Sequence, residues 1–166
     1  MKRFGFALAV TWLAATLVTF GQSHILVQGG TPEDKTYLSV GSDGSYADLY
    51  GFDDQSGRQR WNIRPAGNGY VHIIVEGGTP DDRRYLSVTS DGTKVHLQGD
   101  DNGSGRQRWR IEETGEGYVH ILVSGGTPRD HRFLSVTPDG LKVDLYGFDD
   151  GSGRQRWRIA PARQRR

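Results

Sequence analysis

Apolar and polar positions alternate over short stretches of this chain, and the same alternation returns three times. In the middle of the chain, Val71, Ile73 and Val75 alternate with Tyr70, His72 and Ile74. A period of two places every second side chain on one face, which is the pattern of a half-buried β-strand. This stretch predicts the first strand of a repeating unit.

The rest of that unit predicts three more strands separated by turns. Gly77, Gly78, Thr79 and Pro80 interrupt the first strand, and Asp91-Gly92 is a signal for a tight hairpin turn. No window has a sustained helical period. The further predicted strands cover residues 85–88, 94–98 and 106–111.

The unit is one of three repeats with a fixed period. The pentapeptide Gly-Arg-Gln-Arg-Trp occupies residues 57–61, 105–109 and 153–157, so Trp61, Trp109 and Trp157 are 48 residues apart each time. A period of this size is typical of a repeat architecture. We assign the repeats approximately to residues 24–66, 67–114 and 115–162, all within a single domain.

Four strands in each of three units make twelve, and this number restricts the fold. A three-bladed propeller would have fewer blades than propellers usually have. A closed barrel capped by hairpins pairs all the strands and leaves no open edge. We therefore predict an all-β protein with the β-trefoil architecture and pseudo-threefold symmetry.

The N-terminus predicts a secretory signal peptide. Lys2 and Arg3 precede an uncharged apolar run over residues 4–20, and the small residues Gly21 and Ser23 suit cleavage. We assign residues 1–23 to the signal peptide and residues 24–162 to the domain, and we expect a secreted, extracellular or periplasmic protein. The run is near the lower limit for a membrane span, so an uncleaved anchor is the alternative.

Composition and charge narrow the function further. The 166 residues carry a formal net charge of +1, and there is no cysteine. Thiol catalysis and cysteine metal sites are thereby excluded, and a near-neutral chain has no global field for nucleic acid or acidic membranes. The tail at residues 163–166 is basic, and four residues predict a frayed terminus.

The repeated motifs resemble those of a known family. The segments ending at Trp61, Trp109 and Trp157 are similar to the three Gln-x-Trp motifs of the ricin B-type trefoil lectins. The Leu-Ser-Val segments at 38–40, 86–88 and 134–136 resemble the Leu-Asp-Val strand of that family. The resemblance covers the whole chain after the signal peptide.

The resemblance implies two sets of residues. One set is structural, with each indole in the core and each amide bridging backbone groups: Trp61, Trp109, Trp157, Gln59, Gln107 and Gln155. The other binds sugars, with an aromatic platform, a polar residue two positions before it and the residue before Gln. The implied sites are Asp48, Tyr50 and Arg58 in the first repeat, Asp144, Tyr146 and Arg154 in the third, and a weaker site of His96, Gln98 and Arg106 in the second.

The chain departs from the family pattern at two positions. Ser39, Ser87 and Ser135 stand where the family has an aspartate, and arginine stands where the family has asparagine before Gln. One hypothesis is that Asp48 and Asp144 supply the missing carboxylate. The arginines have two interpretations: they select acidic sugars, or they pair with carboxylates of the neighbouring loop such as Asp53 and Asp54.

Two further groups of residues suggest metals but have simpler interpretations. The Asp-rich loops at 53–57, 101–105 and 149–153 contain oxygen ligands suited to calcium, yet they lack the full alternating series of ligands, which favours turns. His24, His72 and His120 are related by the repeat and could converge on zinc, but their apolar neighbours favour packed, hydrogen-bonded histidines. We predict no metal and no cofactor.

The sequence predicts binding and no catalysis. A unique active site should break the threefold pattern, and the informative breaks, at Tyr50, Gln98 and Tyr146 among others, surround the expected sugar platforms. We therefore expect a multivalent, non-catalytic, lectin-like protein that binds glycans or polysaccharide as a monomer. The alternative is a secreted trefoil that binds a protein, such as a protease inhibitor or effector.

Overall fold

The protein is all β, as predicted. The computed structural model describes residues 21–32, 34–80, 82–128 and 130–162, and these contain twelve strands and no helix. The strands are β1 (Ser23–Val27), β2 (Tyr37–Val40), β3 (Ala47–Tyr50), β4 (Trp61–Gly67), β5 (Tyr70–Val75), β6 (Tyr85–Val88), β7 (Val95–Gln98), β8 (Trp109–Gly115), β9 (Tyr118–Val123), β10 (Phe133–Val136), β11 (Val143–Tyr146) and β12 (Trp157–Pro161).

Six of the strands form a closed barrel. β1 pairs with β12, β4 with β5 and β8 with β9 as long antiparallel ladders. Single bridges join these ladders at Ser23–Trp61, Val71–Trp109 and Val119–Trp157. Because the last bridge returns to β12, the ring closes and none of the six strands has an unpaired edge.

The other six strands form three hairpins that cover one end of the barrel. The hairpins are β2–β3, β6–β7 and β10–β11, and each joins the barrel through one bridge, as at Leu26–Tyr37. β3, β7 and β11 contact one another pairwise. Strands of different repeats therefore pair and pack together, whereas the blades of a propeller would be separate sheets.

The predicted fourth strand of the second repeat differs from the observed one. It was expected over residues 106–111, whereas β8 is Trp109–Gly115. The Arg108 N–H donates to the Gly105 carbonyl at 3.2 Å, so a turn occupies the start of the predicted segment. The strand then continues to a tight turn where Gly115 and Gly117 have positive φ, which sequence alternation does not mark.

The three repeated tryptophans form the centre of the hydrophobic core. Trp61, Trp109 and Trp157 are completely buried, and each indole N–H donates to the carbonyl of the leucine 23 residues before it, at 2.8–2.9 Å. Burial of each indole therefore leaves no polar atom of that ring without a partner. The Gly-Arg-Gln-Arg-Trp pentapeptide thus fixes each hairpin to the barrel.

The predicted terminal segments fall largely outside the described residues. These are residues 1–20 of the expected signal peptide and the tail at 163–166. Ser23 is buried in β1, one residue before the expected domain start. In the described part of the chain, no helix is long and apolar enough to span a membrane.

Candidate functional site

The expected platform tyrosines and their aspartates lie on the outer face of the capping hairpins. In β3, Ala47 and Leu49 point into the core, whereas Asp48 is partly exposed and Tyr50 is 38% exposed. β11 repeats the pattern, with Asp144 and Tyr146 facing outward. The period of two thus brings the aspartate and the tyrosine of each hairpin to one surface, as the sequence predicted.

Each tyrosine is joined by a phenylalanine that the sequence analysis did not assign to the site. The rings of Tyr50 and Phe52 have centroids 5.2 Å apart, and those of Tyr146 and Phe148 are 5.3 Å apart. Phe52 and Phe148 are each 59% exposed. An exposed aromatic pair is an apolar surface for a ligand, and its signal in the sequence is the break of the repeat at Phe52, Asp100 and Phe148, which surrounds the expected platforms.

The arginines before Gln contact both the tyrosine and a loop carboxylate. The Arg58 guanidinium lies 5.7 Å from the centre of the Tyr50 ring and donates to Asp54 at 2.6 Å. Arg154 lies at the same distance from Tyr146 and pairs with Asp150. Of the two interpretations of these arginines, the pairing with loop carboxylates agrees with their contacts. Each arginine, while paired in this way, also lies over the ring of its tyrosine.

The serines at the family's aspartate position are buried. Ser39 is 1% exposed; its hydroxyl accepts a hydrogen bond from the Gln59 amide at 3.0 Å and donates to the Val40 carbonyl. The same arrangement surrounds Ser87 and Ser135. These hydroxyls hold the structural glutamines and do not reach a surface ligand.

Asp48 and Asp144 lie directly opposite Ser39 and Ser135 in the hairpin register, two residues before their tyrosines. The two carboxylates differ. Asp48 Oδ1 accepts the Leu49 N–H at 2.8 Å, whereas Asp144 Oδ1 is buried and accepts no hydrogen bond among the described residues. Burial raises the pKa of Asp144 to about 6, against the attraction of Arg154.

We expect Asp144→Asn to stabilise the protein at neutral pH and to have little effect near pH 4. The folded pKa of Asp144, about 6, exceeds the reference value of 3.8, so the folded state binds more protons between these values and loses stability as pH rises through them. Asparagine has no charge to bury. Because the site is partly solvated, the gain at pH 8 should be about 1 kcal/mol. Urea unfolding at pH 4, 6 and 8 measures it, and a pH-independent difference would contradict the expectation.

The second repeat lacks the aromatic platform. Gln98 is exposed at the position of Tyr50, and Asp100 stands at that of Phe52. His96 faces outward where the other repeats have aspartate. Burial lowers the pKa of His96, and the positive charges of Arg106 and Arg83 lower it further. A shallow cavity of about 510 Å³ lies beside Gln98.

The repeated histidines belong to hydrogen-bonded networks within each repeat. His24 Nε2 lies 2.9 Å from Asp53 Oδ2, which also accepts from Arg60 at 2.8 Å. His72 and His120 pair in the same way with Asp101 and Asp149. Burial alone would raise the pKa of Asp101, but hydrogen bonds from Arg108, His72 and the Gly103 N–H lower it to about 2.

These contacts bear on the suggested metal sites. The histidines bind loop carboxylates, and the loop aspartates accept backbone N–H groups in turns, as Asp53 does from Gln55. Among the described residues, no group of three histidine or carboxylate side chains is placed to hold a metal ion. The networks instead fasten each Asp-rich loop to its barrel strand.

A family model decides the family of the chain. The model described as "Outer membrane protein assembly factor BamB" matches residues 9–166. The chain belongs to this family. The description names an assembly role for BamB, and that role is a property of BamB. The ricin B-type family is not the one matched, so the resemblance of the motifs to it stays a prediction. No curated protein is significantly similar to the chain in sequence.

Solved structures share the fold. The designed threefold symmetric protein ThreeFoil has a TM-score of 0.64 and 22% identity, over 84% of this chain and 99% of its own. SeviL bound to asialo-GM1 saccharide has a TM-score of 0.61 and 14% identity, over 87% and 100%. Cytolethal distending toxin from Actinobacillus actinomycetemcomitans has a TM-score of 0.63 and 16% identity, over 87% and 94%. These neighbours are β-trefoil proteins, and at such identities they show the fold alone.

Proposed function

We propose that the protein is a secreted, non-catalytic, lectin-like module of the ricin B type that binds glycans through its first and third repeats. The observation that carries the proposal is the pair of aromatic platforms, Tyr50 with Phe52 and Tyr146 with Phe148, each with an aspartate two residues before its tyrosine on the same strand face. A sugar presents an apolar C–H face and a rim of hydroxyls. An exposed ring flanked by fixed polar groups matches both.

The polar groups have complementary roles. Asp48 and Asp144 accept hydrogen bonds from sugar hydroxyls. Arg58 and Arg154 contact the platform rings and use part of their hydrogen-bonding capacity on loop carboxylates, which keeps them oriented before a ligand arrives. Pre-oriented side chains reduce the entropy cost of binding. The fold shared with SeviL, which is bound to a saccharide in its structure, supports the same class of ligand.

The sites lie on two of the three hairpins that cover one end of a single barrel. Two sites at fixed separation engage two sugars of the same polymer, and the second contact is intramolecular. Weak individual sites then give useful affinity for a glycan surface. No reaction is required for this activity, and we propose that the protein has none.

A glycan array tests the proposal through the third repeat. We expect the double variant Asp144→Ala, Tyr146→Ala to lose at least about tenfold in binding, because it removes the platform and the hydroxyl acceptor of one site. The matched control is Leu141→Ala, an exposed apolar residue of the same hairpin whose loss should leave binding unchanged.

The array also separates the proposal from a protein-binding trefoil. Unchanged glycan binding in the double variant would contradict the assignment of a sugar site to the third repeat. If the wild-type protein bound no glycan but captured a single protein partner, the lectin-like function would be wrong and a protease inhibitor or effector would be favoured.

A further inference from the structure

The first hairpin has a second exposed aromatic residue, Tyr46, at the end of β3 away from Tyr50. Tyr46 immediately precedes β3, lies four residues before Tyr50 and is 41% exposed. Because an even spacing along a strand keeps side chains on one face, Tyr46 shares the outer face of the hairpin with Tyr50. Lys94 and Lys142 stand at the equivalent positions of the other repeats. The first repeat alone therefore has an aromatic residue at both ends of this face.

The ring of Tyr46 packs directly against the backbone of Gly41. A Cβ atom added to Gly41 would lie 2.4–2.8 Å from Cζ, Cε2 and Cε1 of this ring. The Gly41 N–H also donates to the Tyr46 carbonyl at 2.9 Å. Thr89 and Thr137 occupy the position of Gly41 in the other repeats. The first repeat thus lacks a side chain at the place that the ring occupies, and the ring is held in one orientation.

A backbone bridge joins Tyr46 to the second hairpin. Tyr46 pairs with His96 in an antiparallel bridge, and the Leu97 N–H donates to the Ser45 carbonyl at 3.0 Å. Side chains of directly paired residues lie on one face, with Cβ atoms about 4.5–5.5 Å apart. His96 also departs from the repeat, which has aspartate at both equivalent positions. In the described part of the chain, no such bridge joins the equivalent residues of the other hairpins.

Three departures from the repeat, Gly41, Tyr46 and His96, therefore meet at one place on the surface. A saccharide requires an exposed ring for its C–H face and polar groups for its hydroxyls. Tyr46 provides the ring, and the imidazole of His96 lies across the bridge with nitrogen atoms that donate or accept hydrogen bonds. Four residues of strand, at about 3.3 Å each, separate Tyr46 from Tyr50 by about 13 Å. This distance is longer than one sugar ring and is spanned by a chain of them.

We propose that Tyr46 and His96 form an additional saccharide subsite, so that the first repeat binds a chain of neutral sugars along β3. One unit of the chain stacks on Tyr50, and a later unit stacks on Tyr46. In the third repeat Lys142 offers no ring at this position, so that repeat binds a single unit on Tyr146. The inference rests on the proposed function in that the Tyr50 platform holds the first unit.

The test measures affinity as a function of chain length in the Tyr146→Ala background, which leaves the first-repeat site alone. The probes are cello-, xylo-, manno- and galacto-oligosaccharides, from monosaccharide to hexasaccharide. We expect affinity to rise with length in the ladder that binds. Adding Tyr46→Lys should lower the affinity for the hexasaccharide about tenfold, the value of one stacked ring, and leave that for the monosaccharide unchanged.

A second variant tests the orientation of the ring. Gly41→Thr should cause the same length-dependent loss, because the added side chain displaces the Tyr46 ring from its place. Both substitutions install residues that are native at the equivalent positions of the other repeats, so both variants should fold. The matched control is Lys142→Ala, at the exposed position equivalent to Tyr46, and it should change neither affinity.

The outcomes separate this subsite from a structural role of Tyr46 and from the proposed function. An equal loss for short and long ligands in Tyr46→Lys would show that the ring only supports the hairpin, and it would overturn the inference. Unchanged affinity for the hexasaccharide, or an affinity that does not rise with length, would also overturn it. So would a wild-type protein that binds array glycans and none of the four ladders. If the wild-type protein bound no saccharide at all, the proposed function would be wrong together with this inference.

Discussion

Replacing Trp109 by alanine should lower the free energy of unfolding by about 3–5 kcal/mol. The indole is completely buried, and its N–H donates to the Leu86 carbonyl at 2.8 Å. The substitution therefore opens a cavity and leaves a buried carbonyl without its partner. Domains of this kind are commonly stable by about 5–15 kcal/mol, so the loss is about a fifth or more of the total. Urea unfolding at 25 °C measures it.

The control for this experiment is Leu141→Ala. Leu141 is 46% exposed at a hairpin turn, and truncating an exposed apolar side chain changes stability by no more than about 0.5 kcal/mol. A loss below 1 kcal/mol in Trp109→Ala would contradict the assignment of the repeated tryptophans as the centre of the core. Equal losses in both variants would contradict it as well.

The all-β class was predictable because the alternation of side chains is a local property. Val71, Ile73 and Val75 occupy every second position of the sequence, and all three side chains are buried in the core in β5. The first and last residues of β8 were harder to predict from the sequence. A turn at Gly105 and positive φ at Gly115 decide them, and these depend on hydrogen bonds between residues and not on a hydrophobic pattern.

The geometry of the candidate site was predictable where its residues lie on one strand. Asp48 and Tyr50 share a face because they are two residues apart, and the sequence predicted this correctly. The contribution of Phe52 requires the chain to turn after β3 and bring the ring to within 5.2 Å of Tyr50. Such a contact between a strand and the following loop has no period in the sequence.

The environment of each charged group was the least predictable property. Asp48 and Asp144 occupy equivalent positions, yet only Asp48 receives a hydrogen bond from the following N–H, and burial raises the pKa of Asp144 to about 6. The sequence also left open the choice between two partners for Arg58. Proximity of Asp54 and Tyr50 in space decides its contacts, and both lie beside it only after the hairpin has packed on its loop.

Removing one aromatic platform should weaken binding to a polymeric glycan far more than binding to a short soluble one. In Tyr146→Ala, the third-repeat site is lost and the first is intact. A soluble oligosaccharide that fills one site should then bind with the same affinity and half the stoichiometry in calorimetry. A surface-bound polymer can no longer engage two sites at once, and its apparent affinity should fall by about 10²–10⁴.

The matched variant Tyr50→Ala should give the same two results, because the first-repeat platform has the same ring pair and the same arginine as the third. The double variant should bind neither form of neutral glycan. If a single variant lost equal factors for the polymer and the oligosaccharide, the two platforms would not act as independent sites on one barrel. If stoichiometry stayed unchanged, the tyrosine removed would not be part of a site, and binding would have to be sought on another surface of the barrel.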